Sequence, residues 1–74
     1  MFEQFKSILV EELGVDEESI TLDAELTGDL GINSLELADL ILICEDKLGV
    51  TIEDDQLSKF ITVGDVVNYL ASIE

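Results

Sequence analysis

A chain of 74 residues with 47% hydrophobic side chains has room for one small folded domain and is too apolar for a disordered acidic tail. Its 18 Asp and Glu outweigh 3 Lys to give a net charge of −15, a surface that repels nucleic acid and anionic lipid and attracts basic proteins or divalent cations. The chain has no His, hence no imidazole general base or metal ligand, and its single cysteine, Cys44, permits no intramolecular disulfide and suits a reducing compartment.

Residues Met1 to Lys6 lack the basic flank and apolar run of a secretory signal, and no segment is long enough to span a membrane. A cytoplasmic protein is expected. Phe2, Phe5, Ile8, Leu9 and Leu13 recur at helical spacing, which predicts a helix over about 3–13, closed by Gly14 and Val15. The stretch from Val15 to Asn33 has no such period. Asp16-Glu17-Glu18-Ser19 suits a turn, and Ile20 and Leu22 alternate with polar neighbours as a strand at 20–22 would. An ordered loop that plugs Leu26 and Leu30 into a helical core is preferred, because a lone strand would have no partner.

The segment Gly28-Asp29-Leu30-Gly31-Ile32-Asn33-Ser34-Leu35-Glu36-Leu37 passes from a glycine-spaced loop into an amphipathic run. Asn33 is a favourable N-cap, and Glu36, three residues on, completes a capping-box pattern. Ser34 then lies in the first turn of a helix over about 34–49, beside unpaired N–H groups and the positive end of the dipole, where a phosphate is favoured. On a helical wheel Leu37, Leu40, Ile41, Cys44 and Leu48 form a core stripe. Leu35, Ala38 and Leu42 form a second, narrower seam nearly opposite, flanked by Glu36, Asp39, Glu45 and Asp46. Either both seams are buried in a small bundle, or the second is a docking surface with an apolar centre and an acidic rim. Cys44 reads as a small buried hydrophobe.

Gly49 ends this helix, and Val50-Thr51-Ile52 connects it to a short helix from Glu53 to Phe60, with Phe60 and Ile61 as core anchors. Thr62 and Asp65 are spaced to cap a last helix over about 63–73, whose stripe is Val63, Val66, Val67, Leu70 and Ile73. The predicted fold is all-α: a four-helix bundle with three longer helices, one short third helix and a long first loop, filling 1–74 as a single domain.

Enzymatic chemistry finds little support. Ser34 has no His to activate it, and no Gly-x-Ser-x-Gly elbow is present. A calcium loop begun at Asp23 puts Ser34 where the bidentate Glu belongs, so no dedicated metal site is expected, only weak surface binding of divalent ions. An acidic nucleic-acid mimic would account for the charge but not for the Asn33-Ser34-Leu35 cap.

Asp29-Leu30-Gly31-Ile32-Asn33-Ser34-Leu35-Glu36, set midway along a very acidic four-helix chain, resembles the acyl carrier proteins, and the resemblance spans essentially the whole chain. It implies a non-catalytic carrier in which Ser34 bears a covalent 4′-phosphopantetheine arm, added by a phosphopantetheinyl transferase from coenzyme A with Mg²⁺. Acyl intermediates would ride on the arm as thioesters, most simply in fatty acid biosynthesis, with their tails in the apolar space between the helices. A specialised carrier for polyketide, lipid-modification or D-alanine transfer is the alternative. It further implies that Leu35, Glu36, Asp39, Leu42, Glu45 and Asp46 form the surface read by the basic docking patches of fatty acid or polyketide synthesis enzymes, with the carrier a monomer that engages no nucleic acid and no membrane interior. Two positions depart from the family pattern. Asn33 stands where Asp is usual, which keeps the cap and removes a charge facing the transferase, and Lys47 interrupts a helix that is commonly more uniformly acidic.

Overall fold

Helical spacing and a glycine stop produce the first element. The computed structural model describes residues 1–73, and in it α1 runs Phe2–Leu13 with Phe5, Ile8 and Leu9 buried. Phe2 and Leu13 are half-buried at its two ends. Gly14 takes φ 66°, a left-handed conformation that strains any side chain, and the Gly14 and Val15 N–H groups turn back onto the α1 carbonyls.

The long segment after α1 is an ordered loop that plugs the core, as its scattered apolar residues suggest. It contains a 3₁₀ helix, Glu17–Ser19, capped by Asp16, whose Oδ1 accepts the Glu18 N–H at 3.1 Å. Ile20, Ala24, Leu26 and Ile32 are buried, whereas Leu22 is exposed, which breaks the alternation a strand at 20–22 would need. The loop nevertheless has a partner, contrary to the sequence-based expectation. Glu25 and Thr62 form an isolated antiparallel bridge. Around it Leu26 N–H donates to the Ile61 carbonyl and Val63 N–H to the Ala24 carbonyl, both at 2.9 Å, while Gly64 N–H reaches the Leu22 carbonyl at 2.9 Å. This pairing pins the middle of the loop to the start of the last helix.

Helix α2 runs Ser34–Leu48 and stops at Gly49, also left-handed with φ 67°. Its Leu37, Leu40, Ile41 and Cys44 are buried and Leu48 is half-buried, so the core stripe is as the wheel places it. The short third helix is 3₁₀, Asp54–Lys59. Phe60 follows it into the core and meets Tyr69 edge-on, with ring centroids 5.6 Å apart. Ile61 does not join Phe60 there and is 58% exposed. Successive side chains of an extended segment point to opposite sides, so burying Phe60 turns Ile61 out.

Helix α3, Val63–Ile73, buries Val63, Val66, Val67 and Leu70. Ile73, expected to extend the stripe, is exposed at the helix end, past the last turn that has the core beneath it. Asp65 Oδ2 accepts the Thr62 and Ile61 N–H groups, each at 3.0 Å, and Thr62 Oγ1 accepts the Asp65 N–H at 3.2 Å, the reciprocal cap their spacing predicts. Helix α1 packs against both α2 and α3. The architecture is all-α, with three longer helices, one short third helix and a long first loop, and no strand among the described residues.

Candidate functional site

The start of α2 is built by the loop before it. The Glu25 carbonyl accepts the Asp29 and Leu30 N–H groups at 2.9 and 3.0 Å, and Asp29 Oδ2 accepts the Glu25 N–H at 2.7 Å. Gly31 then takes φ 69°, and Ile32 turns inward, buried, with its N–H on the Leu26 carbonyl at 2.9 Å. The buried Ile32 fixes where the chain must leave the core, one residue before the helix cap. Its apolar neighbours carry no period, so burial at this position is not visible from spacing.

Asn33 is extended at φ −83° and ψ 175° and caps α2. Its Oδ1 accepts the Glu36 N–H at 2.8 Å, and Glu36 Oε1 accepts the Asn33 N–H at 3.1 Å. The first helical bond follows directly, from Leu37 N–H to the Asn33 carbonyl at 2.9 Å. Ser34 is therefore the first residue of the helix, exposed, and neither capping bond uses its hydroxyl. The amides of the first turn and the helix dipole favour an anion there. An exposed hydroxyl beside such amides fits a phosphodiester. Beside this helix start lies an open cleft of about 280 Å³, with Leu13, Val15, Leu30 and Ile32 giving apolar surface and Asp29 and Glu36 giving carboxylates.

Leu35 is 80% exposed and Leu42 63%, with Ala38 half-buried between them. The second seam of α2 therefore faces outward, and a helix buried on both sides is excluded. Asp39 and Asp46 flank it and are exposed. Glu36 is exposed but bonded to Asn33. Glu45 is half-buried, and its Oε2 accepts the Ile52 N–H at 2.8 Å, a tie between α2 and the following connector that spacing does not reveal. Lys47 reaches Glu12 of α1 at 3.8 Å, and Lys6 reaches Glu17 at 3.6 Å. Those two ammonium groups are engaged with carboxylates of α1 and the first loop, which leaves the Leu35–Leu42 seam rimmed by negative charge.

Cys44 has no exposed surface, and burial pushes its thiol up to about 12, with the Glu45 charge adding to the effect. It is packing, not a nucleophile. Among the described residues no three His, Cys, Asp or Glu side chains converge as a metal site would need, and no helix is long and apolar enough to cross a membrane.

The family described as a phosphopantetheine attachment site matches residues 3–70. A protein named acyl carrier protein from Petrotoga mobilis is 51% identical over 71 residues, covering 96% of this chain and 84% of its own. Proteins of the same name from Thermotoga maritima and Helicobacter acinonychis are 47% and 43% identical over 70 residues, each covering 95% of this chain and respectively 86% and 90% of their own. These matches show that the chain belongs to the acyl carrier proteins, carriers rather than catalysts, with phosphopantetheine as the group they bear.

Proposed function

We propose that Ser34 is the attachment residue and that the carrier serves fatty acid biosynthesis in the cytoplasm, as a monomer. The observation that carries this reading is the position of Ser34 as the first, exposed residue of α2, with its hydroxyl left out of the cap that Asn33 and Glu36 make. A phosphopantetheinyl transferase supplies the arm. The Ser34 Oγ–phosphorus bond forms as the pyrophosphate bond of coenzyme A breaks, and adenosine 3′,5′-bisphosphate leaves. The hydroxyl proton passes to a base of the transferase, because the chain has no imidazole to receive it. Once attached, the arm supplies a terminal thiol to which acyl groups are joined.

The same helix offers the recognition surface. Leu35 and Leu42 form its apolar centre, and Asp39 and Asp46 are the free carboxylates of its rim. Glu36 and Glu45 add charge at the edges, although each commits one oxygen to a backbone N–H. Synthesis enzymes with basic docking patches are the partners this surface fits, since apolar contact and opposite charge combine on one face. Incubation with coenzyme A, Mg²⁺ and a broad-specificity transferase tests the assignment by intact mass. One arm is expected on the parent protein and none on Ser34→Ala; an arm on the Ala variant would move the site elsewhere.

A further inference from the structure

The reciprocal bonds of the capping box give Glu36 a role distinct from docking. With Ser34 as the attachment residue, its hydroxyl must stay free. Serine is itself among the preferred N-caps, however, and a helix whose cap is lost can restart one residue later. Ser34 would then turn its hydroxyl onto the amides of its own first turn, and the backbone at Ser34 would become extended instead of helical. Asn33 prevents this by capping first, with its Oδ1 on the Glu36 N–H at 2.8 Å. Glu36 closes the box from the other side, its Oε1 on the Asn33 N–H at 3.1 Å. The Asn33 carbonyl, bonded by the Leu37 N–H at 2.9 Å, completes the start. Every one of these bonds sets the register of the helix at Ser34, and none of them occupies its hydroxyl.

We infer that Glu36 is a positioning residue for Ser34: by accepting the Asn33 N–H it holds the helix start in register and keeps the hydroxyl out of the cap and accessible to the transferase. The role belongs to the geometry of the carboxylate oxygen and not to its charge. A glutamine at this position also completes a capping box, whereas alanine cannot. That separates positioning from docking, because both substitutions remove the same charge.

The test compares Glu36→Gln and Glu36→Ala with the parent, following arm addition from coenzyme A by intact mass and the Ser34 carbon chemical shifts by NMR before any arm is added. Both variants lose the rim charge and should be slowed alike by that loss at low ionic strength, so the readout is Ala against Gln, and Gln is expected to leave the Ser34 shifts helical. Ala is expected to load more slowly than Gln and to move the Ser34 shifts toward extended values, because loss of a cap of about 1 kcal/mol lowers the ratio of capped to uncapped helix starts about fivefold. Asn33→Ala, which opens the box from its other side, should move the Ser34 shifts in the same direction. A Gln variant as slow as the Ala variant, an Ala variant as fast as the parent, or Ser34 shifts unmoved in the Ala variant would overturn the inference. It rests on Ser34 being the attachment residue, and that reading fails separately: an arm found on Ser34→Ala would refute the site whatever the Glu36 variants do.

Discussion

Glu45 holds Ile52: its carboxylate accepts the Ile52 N–H at 2.8 Å, while its main-chain carbonyl accepts the Gly49 and Val50 N–H groups at 3.0 and 3.2 Å. One residue thus fastens both the end of α2 and the connector that leads into the short 3₁₀ helix. Ile52 is buried, so the bond fixes a core anchor and not a loose strand of surface. A hydrogen bond to a charged group contributes about 1.5–3 kcal/mol, and partial exposure of Glu45 places this one near the lower end. Glu45→Ala is therefore expected to lower unfolding free energy by about 1–2 kcal/mol in urea titration, and to raise amide exchange at Ile52. Asp46→Ala, at an exposed neighbour, should stay within about 0.5 kcal/mol of the parent. Equal losses from the two variants would show that the Glu45 bond adds nothing.

The parts of this fold that local chemistry governs were readable from the residues. Asn33 and Glu36 at capping spacing, Thr62 and Asp65 likewise, and the glycines at 14 and 49 define helix ends through contacts only a few residues long. The core stripe of α2 follows from period alone. Leu35 and Leu42 are ambiguous on the wheel, because periodicity says which residues share a face and not what covers it; burial of Leu37, Leu40, Ile41 and Cys44 in the core leaves them outward. Three features depend on non-local geometry and were not legible. The pairing of Glu25 with Thr62 joins segments far apart in the chain, the outward turn of Ile61 follows from the inward turn of Phe60, and Ile73 lies beyond the reach of the core. At the start of α2 the sequence showed the cap, but not that Ile32 anchors the loop behind it or that Glu45 is tied to Ile52.

Asp65 makes the start of α3 sensitive to acid. The Thr62 and Ile61 N–H groups bond its carboxylate, Thr62 contributing most, and hold it below the ordinary value of 3.8. The folded state thus releases this proton more readily than the unfolded chain. Its stabilising contribution is complete above 3.8 and is lost as pH falls through the lower folded value. NMR titration should find Asp65 ionising below the usual carboxylate range, with the Ile61 and Thr62 amide shifts following the same curve. Asp65→Asn should flatten the dependence of stability on pH in that acid window. An Asp65 that titrates at the ordinary value would contradict the cap.

The exposed seam of α2 lets its proposed role in recognition be tested apart from folding. Leu42 is covered by little of the protein's own structure, so Leu42→Asp should change stability by no more than about 0.5 kcal/mol. Arm addition should slow, because the apolar centre of the proposed docking surface is lost while its acidic rim remains. Asp39→Asn should slow addition at low ionic strength and approach the parent as salt screens the rim, with a Debye length of about 10 Å at 0.1 M. Steady-state rates across a salt series distinguish the two effects. A Leu42→Asp variant loaded at the parental rate would place the docking surface elsewhere.

Cys44 bears on how the arm thiol can be handled. A carrier with two reactive sulfurs would risk misplaced acyl groups or a disulfide with itself, and a free thiol on the surface is the usual source of that trouble. Here the side chain has no exposed surface, and its thiol is pushed up to about 12 by burial, so almost no thiolate exists at neutral pH. Before the arm is added, alkylation at pH 7 should be slow and should accelerate with urea in parallel with unfolding. Afterwards a single sulfur should react quickly, with peptide mapping placing the label on the arm. Cys44→Ser, which leaves a hydroxyl in an apolar site, should cost about 1–3 kcal/mol. Rapid labelling of Cys44 in the folded protein would mean that the α2 core opens far more often than its packing implies, and the arm would then have a competing thiol within its own carrier.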